Sequence, residues 1–338
     1  MTAPLLFSSP PQRIELSPVE MRQLAAFGYR QRSGAKAHDE QRLLAHVQRQ
    51  PIAFPSIAAL RHALVEAESI SYLLVDNLAI DPSRLPRTPR DGVRPAGQTL
   101  SSEIALLQMQ QAFGLSPLGY EEECGGALIH QIAPVAGQSQ VASSAGKVRL
   151  GLHTDLAILR SPFRPHFLSL VCLRNEARTP TLLVELEDAL TLLHQRGSGL
   201  VEILRQPRFV LESPLRLRLW EGKRLISEPR PLLEPSHSGR EAVAANLDSV
   251  RALDREAEAA LLAFKAVLHD ATRPILLRPG SMLIFNNLRV LHGRAAIRPG
   301  QRWLQRVYSS RSLAPLRHAT NVSAPNRFIF PISQLILD

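Results

Sequence analysis

Apolar residues recur along this chain in two rhythms. Up to about residue 115 they come at helical spacing. Ser17-Pro-Val-Glu20 has the form of a capping box with proline at the first helical position, which predicts a helix from Ser17 to near Gly28. Further helices are predicted over residues 39–48, 56–68 and 101–112, the last with Ile104, Leu107 and Met109 on apolar positions and Gly114 as its stop. A short buried strand, 71–75, interrupts this region, and the prolines and arginines of 81–95 read as a loop.

Beyond residue 120 the rhythm changes to short apolar or alternating runs bounded by turn residues. Strands are predicted over 125–135, around His153 and Asp155, and over 167–173, with a Gln/Ser-rich loop at 136–146 and a proline-broken one at 160–165. Helices are predicted at 185–196 and 253–268, and Leu215-Arg-Leu-Arg-Leu219 alternates as a half-buried strand does. The end of the chain reads as strand, turn, strand over 273–286, with a further strand at 303–310 after a turn at Pro299-Gly300. Helices first, then short strands with one helical insertion, is an α+β pattern centred on antiparallel sheet, and a double-sheet jelly roll of the cupin kind fits it. The expected organisation is one elaborated domain over 1–338. Residues 1–120 form a helical buttress, 121–318 a jelly-roll core with a helical insertion around 240–270, and 319–338 a tail.

Composition changes this picture little. Hydrophobic residues make up 45% of the 338, as in a globular protein, and no repeat of fixed period is apparent. A net charge of +10 invites a nucleic-acid partner. However, the charge is almost all arginine, scattered without a dense run, and the lysines are only Lys36, Lys147, Lys223 and Lys265. No nucleic-acid partner is expected. Cys124 and Cys172 cannot build a disulfide framework, so a reducing cytoplasm is the default compartment, with Cys172 a small buried side chain. The first ten residues lack the form of a signal peptide, and no apolar run approaches the roughly 20 residues of a membrane span. A small-molecule substrate is therefore the expected partner, and the oligomeric state is not legible.

The chemistry is carried by His153 and Asp155. In an extended strand, residues i and i+2 project from one face, so an imidazole and a carboxylate would point together. His292, after an apolar strand that ends at Asn286-Asn287, is the third candidate, and two histidines with one carboxylate suit non-haem Fe(II) handling oxygen. A zinc hydrolase could use the same donors around an activated water, and a basic binding module without turnover remains a third reading.

His153-Thr-Asp155, Pro165-His-Phe-Leu-Ser-Leu-Val-Cys-Leu-Arg-Asn175, the distant His292-Gly-Arg294 and Arg302-Trp-Leu-Gln-Arg306 together resemble the clavaminate-synthase-like Fe(II)/2-oxoglutarate oxygenases, from about Ser71 to about Ser312. That family includes hydroxylases of free arginine, asparagine and lysine. The resemblance implies a double-stranded β-helix and Fe(II) on His153, Asp155 and His292. It also implies 2-oxoglutarate and O2 as co-substrates, with succinate and CO2 formed as a substrate C–H is attacked. It assigns Arg306 to the far carboxylate of 2-oxoglutarate, with Thr181 helping and Thr179 as fallback; with Asp155 present, hydroxylation is favoured. For the substrate it implies a free L-amino acid or close derivative from specialised metabolism, a basic side chain ahead of neutral ones. Arg311 would take the α-carboxylate, His130 and Gln131 the α-amino side, and Asp248 a cationic side chain. The plainer alternative for His130 and Gln131 is one core residue and one solvated.

Overall fold

The computed structural model describes residues 12–34, 40–97, 99–197, 199–213, 217, 225–236, 238–322 and 324–336. The expected strand at 215–219, apart from Leu217, and the expected helix start at Asp39 lie outside these residues.

The chain opens with β1 (Arg13–Glu15), α1 (Pro18–Gly34), α2 (Glu40–Arg49), α3 (Pro55–Arg61), β2 (Tyr72–Asp76) and α4 (Ser101–Ala112). The core strands β3 (Ser116–Tyr120), β4 (Ile129–Ile132), β5 (Leu150–His153), β6 (Phe167–Asn175) and β7 (Thr181–Glu185) follow. An insertion then carries α5 (Leu186–Arg196), α6 (Leu200–Leu204), the short β8 (Phe209–Val210), β9 (Leu233–Pro235), β10 (Glu241–Val243) and β11 (Arg251–Ala252), and α7 (Arg255–Asp270). The last elements are β12 (Arg273–Ile275), β13 (Met282–Asn286), β14 (Val290–Arg294), β15 (Arg302–Ser310), α8 (Ala314–Ala319) and β16 (Ile329–Phe330).

The predicted capping box starts α1. The Ser17 N–H donates to Glu20 Oε2 at 2.7 Å and the Glu20 N–H to Ser17 Oγ at 3.3 Å. The helix runs past the expected stop at Gly28, because one interior glycine costs only about 1 kcal/mol and α1 packs along α4. The predicted 56–68 helix holds its α form only through α3. It continues as a π-helical turn, His62–Glu66, and ends at Glu68 with φ at 48°.

Two sheets organise the rest. The larger runs β1-β2-β13-β6-β15-β3-β16, with β4 also on β15; the smaller runs β12-β7-β14-β5. A cavity between them is lined from β4, β6 and β15 on one side and from β5, β7 and β14 on the other, the double-sheet arrangement of a jelly roll. The nine residues of β15 are all buried, since α4 also packs on this sheet. Cys172 is buried as expected, and desolvation pushes its thiol up to about 12, which leaves it inert.

Strand parity corrects two expectations. Gln131 pairs in register with Gln305, and its side-chain oxygen accepts from Trp303 Nε1 at 2.9 Å and Gln305 Nε2 at 3.3 Å, within the core. It is not available to a substrate. Arg311 lies an odd number of residues beyond Arg306, so it leaves the strand on the opposite face. Its Nε donates to Val65 O at 2.7 Å, its Nη2 pairs with Glu68, and its guanidinium lies 4.8 Å over the Phe167 ring.

Arg311 is thus a structural arginine joining the N-terminal helices to the core. Arg311→Ala removes one of the partners of the buried Glu68 carboxylate, which keeps Ser238 and Arg289, and should lower the unfolding free energy by about 2 kcal/mol in denaturant titration. An unchanged midpoint together with a raised substrate KM would restore the substrate role.

Candidate active site

Sheet register brings the two histidines together. β5 and β14 are antiparallel neighbours with His153 opposite His292, and their ring centroids lie 4.3 Å apart. The expectation that Asp155 shares an extended strand with His153 is corrected: β5 ends at His153, and the chain turns through Leu156 at φ 54°. The carboxylate still arrives because Asn287, fully buried, grips the turn. Its Oδ1 accepts from the Asp155 N–H at 2.9 Å, and its Nδ2 donates to Asp155 O and Pro165 O, both at 3.0 Å.

Asp155 Oδ1 lies 3.5 Å from His153 Nε2, and Oδ2 lies 3.7 Å from His292 Nε2. The three candidate ligand atoms fall within 4.8 Å of one another. The His153 Nδ1–H donates to Gly151 O at 2.9 Å, which leaves the Nε2 lone pair facing the centre. The donor set fits a divalent transition metal with open positions.

Burial acts to raise the Asp155 carboxyl. The Arg306 charge and the two neighbouring histidines outweigh it and hold the group well below the usual carboxylate range. Arg306 Nη1 donates to Asp155 Oδ2 at 2.7 Å, and Nη2 donates to Glu123 Oε1 at 2.9 Å and to His130 Nδ1 at 2.8 Å. Tyr308 donates to the same Glu123 oxygen at 2.9 Å, and its ring lies 4.4 Å beneath the guanidinium. His130 is therefore a buttress behind Arg306 and not the substrate contact expected of it. Glu123 escaped the sequence reading because it stands in Glu121-Glu-Glu123, a run that reads as a solvated face. Cys124 completes a second possible ligand group with Glu123 and His130, but both of these already bind Arg306.

On one side of the triad, the cavity between the sheets is lined by His153, His292, Leu170, Thr181, Arg302 and Arg306. Thr181, at the start of β7, is one of these lining residues. Thr179 does not line the cavity; its hydroxyl is buried without a partner. Arg302 was missed. It stands at i−4 from Arg306 and so shares its strand face. Its Nε and Nη1 are buried without a hydrogen-bond partner, and among the described residues no carboxylate pairs with it. Desolvation, reinforced by the Arg294 charge, pushes its guanidinium down to about 9.

On the other side, a second cavity touches His153, Asp155, Leu156, Ile158, Glu212 and Asp248. Asp248 thus lines this second cavity, and its Oδ2 accepts from the Gly151 N–H at 3.2 Å.

A family model described as "Taurine catabolism dioxygenase TauD, TfdA family" matches residues 97–308. The chain is 29% identical over 249 residues to clavaminate synthase 2 of Streptomyces clavuligerus, covering 70% of this chain and 73% of that one. It is 27% identical over 299 residues to enduracididine beta-hydroxylase of Streptomyces hygroscopicus, covering 80% and 85%. Among solved structures, the non-heme iron oxygenase OrfP with Fe, succinate and (3S)-hydroxy-L-Arg superposes with a TM-score of 0.80 at 21% identity, over 95% of this chain and 100% of that one. This last likeness establishes the fold.

The triad makes a direct prediction. Under anaerobic conditions the protein should bind one Co(II) or Fe(II), and His153→Ala should weaken that binding at least about 100-fold in a calorimetric titration. Equal affinity in the variant would remove His153 from the ligand set.

Proposed function

Since the chain belongs to the TauD/TfdA family of dioxygenases, we propose that it oxidises a C–H bond of a free amino acid or close derivative, using Fe(II), 2-oxoglutarate and O2. The likenesses to clavaminate synthase 2 and enduracididine beta-hydroxylase support an amino-acid substrate class. The zinc-hydrolase and binding-module readings fall with the family assignment.

His153, Asp155 and His292 would hold the iron. When bound, the metal supplies the oxidising chemistry: substrate, 2-oxoglutarate and O2 give hydroxylated substrate, succinate and CO2. The observation that carries this reading is the buried, unpartnered Arg302 behind the triad. A guanidinium in that position lacks the carboxylate that would offset its desolvation, and the distal carboxylate of a co-substrate supplies it bidentately. We therefore assign the far carboxylate to Arg302 and Thr181, and not to Arg306 as the motif alone suggested. Arg306 touches the metal ligand Asp155. Arg306 is thus already offset by two buried carboxylates, Asp155 and Glu123, whereas Arg302 meets none among the described residues.

Arg306 keeps one task in this account: it holds Asp155 ionised and oriented. In the cavity on the other side of the triad, Asp248 favours a cationic side chain, while Glu212 there is paired with Arg251. The OrfP complex with a hydroxylated arginine supports the same class.

Succinate release across the twenty amino acids, read together with a mass change in the substrate, tests the function. Turnover with lysine, arginine or a relative of them is expected; succinate release with no amino acid would sink the substrate class. Arg302→Ala should raise the KM for 2-oxoglutarate by roughly thirtyfold or more, about 2 kcal/mol, and move kcat less. Unaltered co-substrate dependence in that variant would return the role to Arg306.

A further inference from the structure

Gly151 is the residue on which the His153 imidazole is hung. Its carbonyl accepts from the ring Nδ1–H at 2.9 Å, and its N–H donates to Asp248 Oδ2 at 3.2 Å. Glycine has a loose backbone, so whatever grips this residue sets the angle at which its carbonyl meets the ring. A side chain at position 151 would run into both carboxylate oxygens of Asp248, so the absence of a Cβ is what admits the carboxylate.

Asp248 itself is well fixed on its backbone side. The segment before it runs antiparallel to β5: Thr154 N–H donates to Ala245 O at 2.8 Å, Leu247 N–H to Leu152 O at 3.1 Å, and Asn246 bridges His153. The Asp248 N–H donates to Asn246 Oδ1 at 3.1 Å. The carboxylate is therefore delivered to Gly151 from a turn whose leading residues are laced to β5, while its side chain remains exposed on the substrate cavity.

We propose that Asp248 is a positioning residue for the metal ligand His153, acting through the N–H of Gly151, in addition to any contact with substrate. This rests on the metal reading above. The carboxylate fixes Gly151, Gly151 fixes the tautomer and tilt of the imidazole, and the imidazole offers Nε2 to the centre. Partners that orient a ligating histidine commonly change metal affinity by tenfold or more.

The test compares wild type, Asp248→Ala and Asp248→Asn by anaerobic Co(II) titration, with the Co(II) visible absorption and the thermal midpoint recorded for each. Because Asp248 is exposed, both variants should keep the wild-type midpoint. The alanine variant should bind Co(II) about tenfold more weakly, with an altered visible band. The asparagine variant, whose amide oxygen can still accept from Gly151, should stay within about twofold of wild type. Wild-type affinity in the alanine variant would overturn the proposal. So would an asparagine variant as weak as alanine, because charge and not the hydrogen bond would then be acting. Failure of the wild type to bind Co(II) would instead overturn the metal reading.

Discussion

The register of β5 against β14 sets His153 beside His292, and the rest of the site is arranged around that pair. Two imidazoles from neighbouring strands need a third donor from outside the sheet. The chain supplies it by ending β5 at His153 and turning, so that Asp155 swings under both rings. A turn at that place would be loose without Asn287, which contributes three hydrogen bonds from the tight connection between β13 and β14. The connection that precedes the second histidine thus also fixes the carboxylate, and one piece of chain couples two ligands.

The strand β15 then acts as a ruler. Arg306 meets Asp155 directly, where it sits between two buried carboxylates, Asp155 and Glu123. Arg302, on the same face and nearer the strand start, meets none among the described residues. A buried guanidinium without a counter-charge is costly unless a ligand completes it. In the proposed assignment this difference in neutralisation separates the roles of two arginines of one motif, and Thr181 on the facing sheet lines the same cavity as the uncompensated one.

Much of this was legible in the sequence, and the failures share a cause. The convergence of His153, Asp155 and His292 was signalled by motif and order, α4 by helical periodicity and α7 by its Ala, Glu and Leu content. The strand β3 was hidden because Pro117 and Gly119 are strand breakers; only its pairing with β15 and β16 reveals it. Both β7 and β14 are five-residue strands with ambiguous flanks. Gln131, His130 and Arg311 were misread because which face a strand residue occupies depends on register and on where the strand ends, which the sequence does not state. The proposed choice between Arg302 and Arg306 depends on which of them meets a buried carboxylate, a three-dimensional fact, and Glu123 is indistinguishable from its acidic neighbours until Arg306 is seen to reach it.

The most direct measurement is a crystal structure of the anaerobic complex with Fe(II) and 2-oxoglutarate. The account predicts iron bonded to His153 Nε2, an Asp155 oxygen and His292 Nε2. The distal carboxylate of 2-oxoglutarate should be forked onto the Arg302 guanidinium and within hydrogen-bond reach of the Thr181 hydroxyl. Iron among Glu123, Cys124 and His130, or a distal carboxylate resting on Arg306 with Arg302 still unpaired, would contradict it.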